Sequence, residues 1–280
     1  MNSRVNCRAV SHREAPTNGE DEQHVTEAAE HPENTAPLVR TSYRRGITTL
    51  TLDSPHNRNA LSARLVGELY AALERAAADT ETRALLLTHT GNTFCAGADL
   101  REGSGSPADL AAVLRTIVEL PKPVVARVGG HVRAGGTGLL GACDISVAGP
   151  GSSFAFTESR IGVAPAVISM PLLPRLDARA AARYYLTGER FDGAEAARIG
   201  LVTLAGDDPD ALLAPVLDGL RRGSPQGLAE SKRLVTAEVL RVFDRDTDSL
   251  AELSARLFAS EEAREGMAAF LERRDPAWVR

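Results

Sequence analysis

The spacing of apolar residues predicts an alternation of strands and helices from about residue 38 to residue 207. Short, continuously apolar runs indicate buried strands, whereas apolar residues that recur every three to four positions indicate helices. The predicted strands are Gly46–Leu52, Ala84–Thr88, Val124–Val128 and Ile145–Ala148, and the predicted helices are Leu61–Ala78, Pro107–Leu120 and Ala134–Ala142. This alternation favours an α/β fold in which right-handed crossovers join the strands.

The pattern after residue 207 is helical throughout. Four further helices are predicted, at Asp210–Arg222, Gln226–Val242, Thr247–Ala259 and Glu261–Arg273. Their apolar stripes need a partner, which is either the body of the same chain or a neighbouring subunit. We therefore expect an α/β core at residues 38–222 and a C-terminal helical region at residues 223–280.

Residues 1–37 differ in composition from the rest of the chain. They contain seven acidic and three basic residues but few large apolar ones, and they show no periodicity. Such a segment buries too little apolar surface to offset the entropy that ordering would remove. We predict that residues 1–37 form a disordered leader.

The composition excludes several classes of protein. The net charge is −5 and basic residues form no cluster, so a nucleic-acid-binding surface is not expected. No apolar run is long enough to span a bilayer, and the leader contains no apolar segment typical of a secretory signal. The three cysteines do not make a disulfide framework. These features predict a cytoplasmic protein with reduced thiols and without membrane or nucleic-acid partners.

Two turns rich in glycine and alanine follow predicted buried strands, at Phe94–Leu100 and at Gly129–Leu139. Small residues let a ligand approach the backbone closely. The second turn opens a predicted helix, where unpaired N–H groups and the helix dipole favour negative charge. Two such amides directed at one point would form an oxyanion hole, although each segment taken singly is also a simple tight turn.

These turns belong to a longer series of segments with a characteristic order and spacing. The segments are Arg58–Ser62, Phe94–Leu100, Lys122–Ala126, Cys143–Ile145, Phe154–Glu158, Leu186–Gly188, Ala196–Val202 and Glu265–Leu271. Together they resemble the enoyl-CoA hydratase/isomerase (crotonase) family over roughly residues 38–278. The resemblance implies a spiral of ββα turns whose C-terminal helices build homotrimers, often paired into homohexamers.

The resemblance also implies roles for individual residues. The backbone amides of Ala98 and Gly135 would bind the thioester oxygen, and Glu158 would carry the proton. The residues that would contact the acyl-CoA are Arg58, Ala60, Ala96, Asp99, Leu100 and Arg101. For Arg58, a solvated surface arginine is an equally good interpretation. No cofactor or metal is implied, because coenzyme A is part of the substrate.

One position departs from the family pattern. Typical hydratases of the family carry two glutamates, and Gly138 stands where the first would be. Hydration of a double bond needs one group to activate water and one to protonate the α-carbon. A lone Glu158 could serve both purposes through a single water molecule, or Thr137, His131 or Arg133 could assist it.

We therefore expect a lyase that adds water to a short or branched 2-enoyl-CoA in fatty-acid or amino-acid breakdown. Two alternatives stay open: a Δ3,Δ2-enoyl-CoA isomerase with Glu158 as its sole base, and a non-catalytic acyl-CoA-binding homologue. The segments Arg160–Ser169 and Arg183–Thr187 also resemble a branch of the family associated with methylglutaconyl-CoA hydration. The expected partners are the acyl-CoA substrate and further copies of the chain.

Overall fold

The computed structural model describes residues 36–101 and 105–280, and residues Pro37–Arg280 form a compact unit. Almost all of the predicted leader, up to residue 35, lies outside the described residues. Within the described ranges, no helix is both long enough and apolar enough to cross a membrane.

Two sheets organise the α/β part. The strands are β1 Val39–Arg44, β2 Ile47–Leu52, β3 Ala84–His89, β4 Thr93–Cys95, β5 Val124–Val128, β6 His131–Arg133, β7 Ile145–Ala148, β8 Ser153–Ala155, β9 Phe191–Asp192 and β10 Leu204–Ala205. The larger sheet has the order β1-β2-β3-β5-β7-β10, and the smaller has the order β4-β6-β8-β9. Strand β1 pairs antiparallel with β2, and β9 pairs antiparallel with β8. The other neighbouring strands of the two sheets run parallel.

The helices cover and extend these sheets. They are α1 Ala63–Ala78, α2 Pro107–Glu119, α3 Gly135–Ala142, α4 Ser169–Leu172, α5 Ala178–Thr187, α6 Gly193–Arg198, α7 Pro209–Arg222, α8 Pro225–Phe258 and α9 Glu261–Glu272. Local capping explains where several begin: the Ser62 hydroxyl accepts a hydrogen bond from Leu65 N at 3.2 Å, which caps α1. The α/β fold predicted from the sequence is confirmed.

The chain winds through both sheets in successive turns. Strands β3 and β4 precede α2, and strands β5 and β6 precede α3, so each ββα turn adds one strand to each sheet. Strands β7 and β8 repeat the step. Because β4, β6 and β8 are parallel neighbours, their carboxyl ends meet at one edge of the smaller sheet. The residues that follow these three strands are thereby brought together.

One sequence prediction about the C-terminal region is wrong. The segments predicted as separate helices, Gln226–Val242 and Thr247–Ala259, belong to the single helix α8 of 34 residues. The polar residues between them do not end the helix, because the segment is held by packing: Phe243 is fully buried, and Thr247 donates a hydrogen bond to its carbonyl at 2.6 Å. Packing against α2 and α4 therefore outweighs the local sequence signal.

Candidate active site

The first amide-bearing loop follows β4. Gly97 adopts φ +91°, a left-handed conformation that glycine reaches without strain. Its carbonyl accepts a hydrogen bond from Leu61 N at 2.8 Å, and Asp99 N donates to Leu61 O at 3.4 Å. These two bonds clamp the loop against the segment before α1, so the Ala98 amide between them has a fixed position.

The second loop follows β6 and opens α3. Ala134, which precedes the helix, has φ 47°, an uncommon conformation for a residue with a side chain. It is held by its neighbours, because its amide donates to Ala155 O at 3.2 Å and its carbonyl accepts from the amide and hydroxyl of Thr137 at 2.8 and 2.6 Å. Gly135 thus becomes the first residue of α3, with its N–H at the positive end of the helix.

The two loops are packed against each other. A Cβ placed on Gly97 would lie 2.8 Å from the Cβ of Ala134, so no larger residue fits at that contact. Among the described residues, neither the Ala98 amide nor the Gly135 amide donates a hydrogen bond. Both residues line a common cleft with a volume of about 1060 Å³. Two unpaired backbone donors at one cleft are the arrangement that an oxyanion requires.

Glu158 lines the same cleft and lies after the end of β8, the third of the neighbouring parallel strands. It is the first residue of the short helical turn Glu158–Ile161 after β8, and it is only 7% exposed. Burial raises the pKa of its carboxyl from 4.5 to about 7, because a buried site disfavours the charged form. A carboxyl group that titrates near neutral pH can both accept and release a proton there.

The predicted acyl-CoA contacts also lie along this cleft. Its lining includes all of the positions proposed from the sequence: Arg58, Ala60, Ala96, Ala98, Asp99, Leu100, Arg101, Gly135 and Glu158. Their individual roles stay predictions. Asp99 differs from the others, since its carboxylate accepts hydrogen bonds from Asn57 Nδ2 at 3.0 Å and from Arg101 N at 2.9 Å. This carboxylate shapes the loop around the first amide.

The absence of a side chain at position 138 has a steric explanation. Gly138 lies on the buried helix α3, one turn after Gly135. A Cβ added there would meet Ile168 Cγ2 at 2.6 Å and Leu114 Cδ1 at 3.4 Å. The space that a first glutamate would occupy is therefore filled by the side chain of Ile168.

The three polar neighbours considered as helpers of Glu158 are held by other groups. The Thr137 hydroxyl donates to Ala134 O at 2.6 Å. His131 Nδ1 lies 2.8 Å from the Ser153 hydroxyl, and Arg133 Nη1 donates to Ser153 O at 2.6 Å. His131 and Arg133 do line the cleft. Their hydrogen bonds nevertheless tie them to β8 and not to Glu158.

Sequence reasoning did not consider Tyr185. This residue lies on α5, and its ring packs against Phe156 with centroids 4.6 Å apart. Burial, and second to it the charge of Glu158, raises the pKa of its hydroxyl. The sequence around Tyr185 reads as one face of an ordinary amphipathic helix. The pairing of its ring with the aromatic residue two positions before Glu158 became visible only in three dimensions.

Comparison with known proteins agrees with this geometry. A family model described as "Enoyl-CoA hydratase/isomerase" matches residues 42–280. A Rhodobacter capsulatus protein named "Probable enoyl-CoA hydratase" is 34% identical over 253 residues, which cover 85% of this chain and 96% of that protein. The 1,2-epoxyphenylacetyl-CoA isomerase of Escherichia coli is 29% identical, with coverage of 86% of this chain and 98% of the isomerase.

A solved structure extends the agreement to three dimensions. The crystal structure of an enoyl-CoA hydratase from Mycobacterium avium superimposes with a TM-score of 0.82 at 56% sequence identity, covering 87% of this chain and all of that one. The ββα winding, the helical C-terminal region and the match over most of the sequence point the same way. The chain belongs to the enoyl-CoA hydratase/isomerase (crotonase) family.

Proposed function

We propose that the protein is a 2-enoyl-CoA hydratase acting on short or branched acyl groups. The observation that carries the proposal is Glu158: a buried carboxyl whose pKa is raised to about 7, on a cleft that also presents the unpaired amides of Ala98 and Gly135. An enolate needs stabilisation at its oxygen and a proton-transfer group at its carbon, and the cleft offers both.

The proposed chemistry begins at the thioester oxygen. The amides of Ala98 and Gly135 would donate hydrogen bonds to this oxygen and strengthen them as negative charge develops. The N-terminal position of Gly135 on α3 adds the favourable field of the helix dipole. Because both donors are backbone groups fixed by local hydrogen bonds, they need no rearrangement when the charge appears.

Glu158 would move the proton in both directions. In its ionised form it takes one proton from water as the water oxygen bonds to C3, and the electron pair of the C2–C3 double bond becomes the enolate. The protonated Glu158 then delivers a proton to C2, so the carboxylate is regenerated and one water has been added. A group that titrates near neutral pH is suited to both halves of this cycle.

The isomerase alternative has specific support in Gly138. One base can carry a proton between C2 and C4 of an enoyl thioester, and this step needs no second carboxylate. The E. coli relative at 29% identity is itself named an isomerase, although of an epoxide. The hydratase is preferred because relatives with higher identity carry hydratase names, including the M. avium structure at 56%.

A comparison of two substrates tests the proposal. Crotonyl-CoA and a 3-enoyl-CoA of similar length are given to the enzyme side by side, with loss of enoyl absorbance and product mass as readouts. We expect 3-hydroxyacyl-CoA from crotonyl-CoA and little conversion of the 3-enoyl substrate. The opposite preference would establish the isomerase, and binding of both esters without turnover would establish a non-catalytic homologue.

We further propose that the chain self-associates as a trimer or hexamer through its C-terminal helices. Support comes from large apolar side chains that α8 and α9 leave exposed: Leu234 and Val235 are 70% and 75% exposed, and Phe270 is 57% exposed. Exposed apolar groups on neighbouring helices favour an interface between copies. Light scattering after size exclusion should give a mass three or six times that of the monomer, and a monomeric mass would contradict this.

A further inference from the structure

Two buried polar atoms on adjoining elements lack hydrogen-bond partners. Glu158 Oε2 and the Tyr185 hydroxyl are both shielded from solvent, and within the described residues neither has a partner. Leaving a polar group buried and unpaired is costly, so most buried polar atoms are satisfied. One of these atoms is a carboxylate oxygen and the other belongs to an O–H donor, so the two are chemically complementary.

The backbone around the pair holds their two elements together. The Ser159 hydroxyl lies 3.4 Å from Leu186 O, and Arg160 Nε donates to Thr187 O at 2.9 Å, which ties the turn containing Glu158 to the end of α5. The Phe156 ring fixes the orientation of the Tyr185 ring from the side. These contacts hold the helix that carries Tyr185 against the turn that carries Glu158.

Charged groups on the other elements around Glu158 do not take this role. The cleft is lined by several cationic side chains, namely Arg58, Arg101, Arg133, Arg160, Arg190 and Arg274. It is also lined by His131, whose pKa is lowered by burial and by Arg133 and Arg190. The pKa of Glu158 responds to burial and to its own backbone, with no contribution from these cations. By contrast, the pKa of the Tyr185 hydroxyl is raised by burial and, second to that, by the charge of Glu158. Tyr185 is thus the residue of α5 whose hydroxyl is electrostatically linked to Glu158.

We propose that Tyr185 is a positioning residue for Glu158: its hydroxyl donates a hydrogen bond to one bridging water molecule, which in turn donates to Oε2 of the ionised carboxylate. This leaves the other carboxylate oxygen for proton transfer with the substrate. The inference rests on the proposed function, because it assigns Tyr185 part of the support that a second carboxylate gives in typical hydratases. Tyr185 is not among the residues that line the cleft, so it acts through Glu158 and does not contact the substrate.

The consequence for proton transfer has a definite sign. A hydrogen bond donated to a carboxylate favours its ionised form and lowers its pKa. Removing the Tyr185 hydroxyl should therefore raise the pKa of Glu158 further above its ordinary value. Because the base in the first step is the ionised carboxylate, less of it would then be available at neutral pH.

The test compares Tyr185→Phe with Tyr184→Phe. The Tyr184 hydroxyl is the matched control, because it lies on the same helix but donates to Glu195 Oε1 at 2.8 Å. In Tyr185→Phe, we expect the acidic limb of kcat/KM against pH to move up by about one unit, with kcat/KM at pH 7 about fivefold lower. Tyr184→Phe should keep the wild-type profile. Thermal unfolding checks that both variants are folded.

A second measurement tests the role of Tyr185 independently of which reaction the enzyme catalyses. Difference infrared spectra against Glu158→Gln follow the Glu158 carboxyl directly, without turnover. An upward pKa shift in Tyr185→Phe supports the positioning role even if the wild-type enzyme hydrates no enoyl-CoA, which would refute only the proposed function. An unchanged Glu158 titration in Tyr185→Phe, or an equal shift in Tyr184→Phe, would overturn the inference.

Discussion

Two buried carboxylates of this molecule sit in contrasting surroundings. Asp144, the residue directly before β7, has an ion pair with Lys232 at 2.9 Å and accepts a hydrogen bond from Val124 N at 2.8 Å. Lys232 also donates to the carbonyls of Ile117 and Lys122 at 2.7 and 3.0 Å. Asp144 thereby joins α8 to the body of the protein. The negative charge of Asp144 is paired with the Lys232 ammonium group, and the role of this pair is structural.

Glu158 is buried to a similar degree but has no cation beside it. Its side chain forms no ion pair with a described residue, and its pKa is raised to about 7 by burial alone. The contrast shows what makes a buried carboxyl reactive in this fold. Asp144 is paired with a cation and connects α8 to the sheet, whereas Glu158 lacks such a partner among the described residues and has a raised pKa of about 7, which suits it to proton exchange.

The largest expected effect is on turnover. Glu158→Gln keeps the shape of the side chain but cannot accept or release a proton, so we expect kcat on the best enoyl-CoA to fall about 10³-fold. Steady-state absorbance assays measure the loss. The control is Glu119→Gln, which removes an exposed carboxylate of α2 and should leave kcat within twofold. A Glu158→Gln enzyme with more than a tenth of wild-type activity would refute the assignment.

Breaking the other carboxylate should affect stability. Lys232→Met leaves Asp144 buried without its cation, and we expect the free energy of unfolding to fall by about 3–5 kcal/mol. Urea unfolding measures this. Asp244→Asn is the matched control, because it breaks an exposed ion pair of the same helix, the one that joins α8 to Arg115 of α2. That change should cost less than about 1 kcal/mol. Equal losses in the two variants would mean that burial does not distinguish these pairs.

The difference in stability between Glu158→Gln and the wild-type protein should depend on pH in a defined direction. Since burial raises the pKa of Glu158 from 4.5 to about 7, the native state keeps a proton that the unfolded chain releases between these values. Wild-type stability from this group is therefore lost as pH rises from 4.5 to 7. The variant should be more stable by about 3 kcal/mol at pH 8 and by almost nothing at pH 4. A difference that is independent of pH would contradict the raised pKa.

The smallest expected effect is on the stability of a variant at Gly138, the position that lacks the family's first glutamate. Gly138→Ala forces a Cβ to within 2.6 Å of Ile168 Cγ2, and we expect a loss of about 1–3 kcal/mol in the free energy of unfolding. Gly67→Ala on α1 is the control, since nothing lies within 4 Å of its added Cβ. That substitution should stabilise the helix by about 0.5–1 kcal/mol. A neutral Gly138→Ala would show that Ile168 moves aside easily.

Much of the larger sheet was predictable from the sequence. Strands β5 and β7 were predicted with their observed bounds, because strands covered on both faces read as continuous apolar runs. Strands β4, β6 and β8 of the smaller sheet were not predicted. Each has three residues, which is too short for any periodicity to appear.

Part of the site was also predictable from local sequence patterns. The glycine-rich turns and the family pattern brought Ala98, Gly135 and Glu158 into consideration, and the structure places all three on one cleft. The packing of Tyr185 on Phe156 and the filling of the space beside Gly138 by Ile168 are contacts between distant segments. Local sequence patterns carry no information about such contacts, so they could only be found in the folded chain.

The pH dependence of kcat/KM for crotonyl-CoA tests most directly whether Glu158 acts as the base, since this ratio reports ionisations of the free enzyme. For the wild-type protein we expect an acidic limb with an apparent pKa near 7, the value to which burial raises the pKa of Glu158. In Glu158→Gln, the residual rate should lose that limb. A wild-type limb near 4.5, or a limb near 7 that persists in the variant, would contradict the assignment of Glu158 as the group that moves the proton.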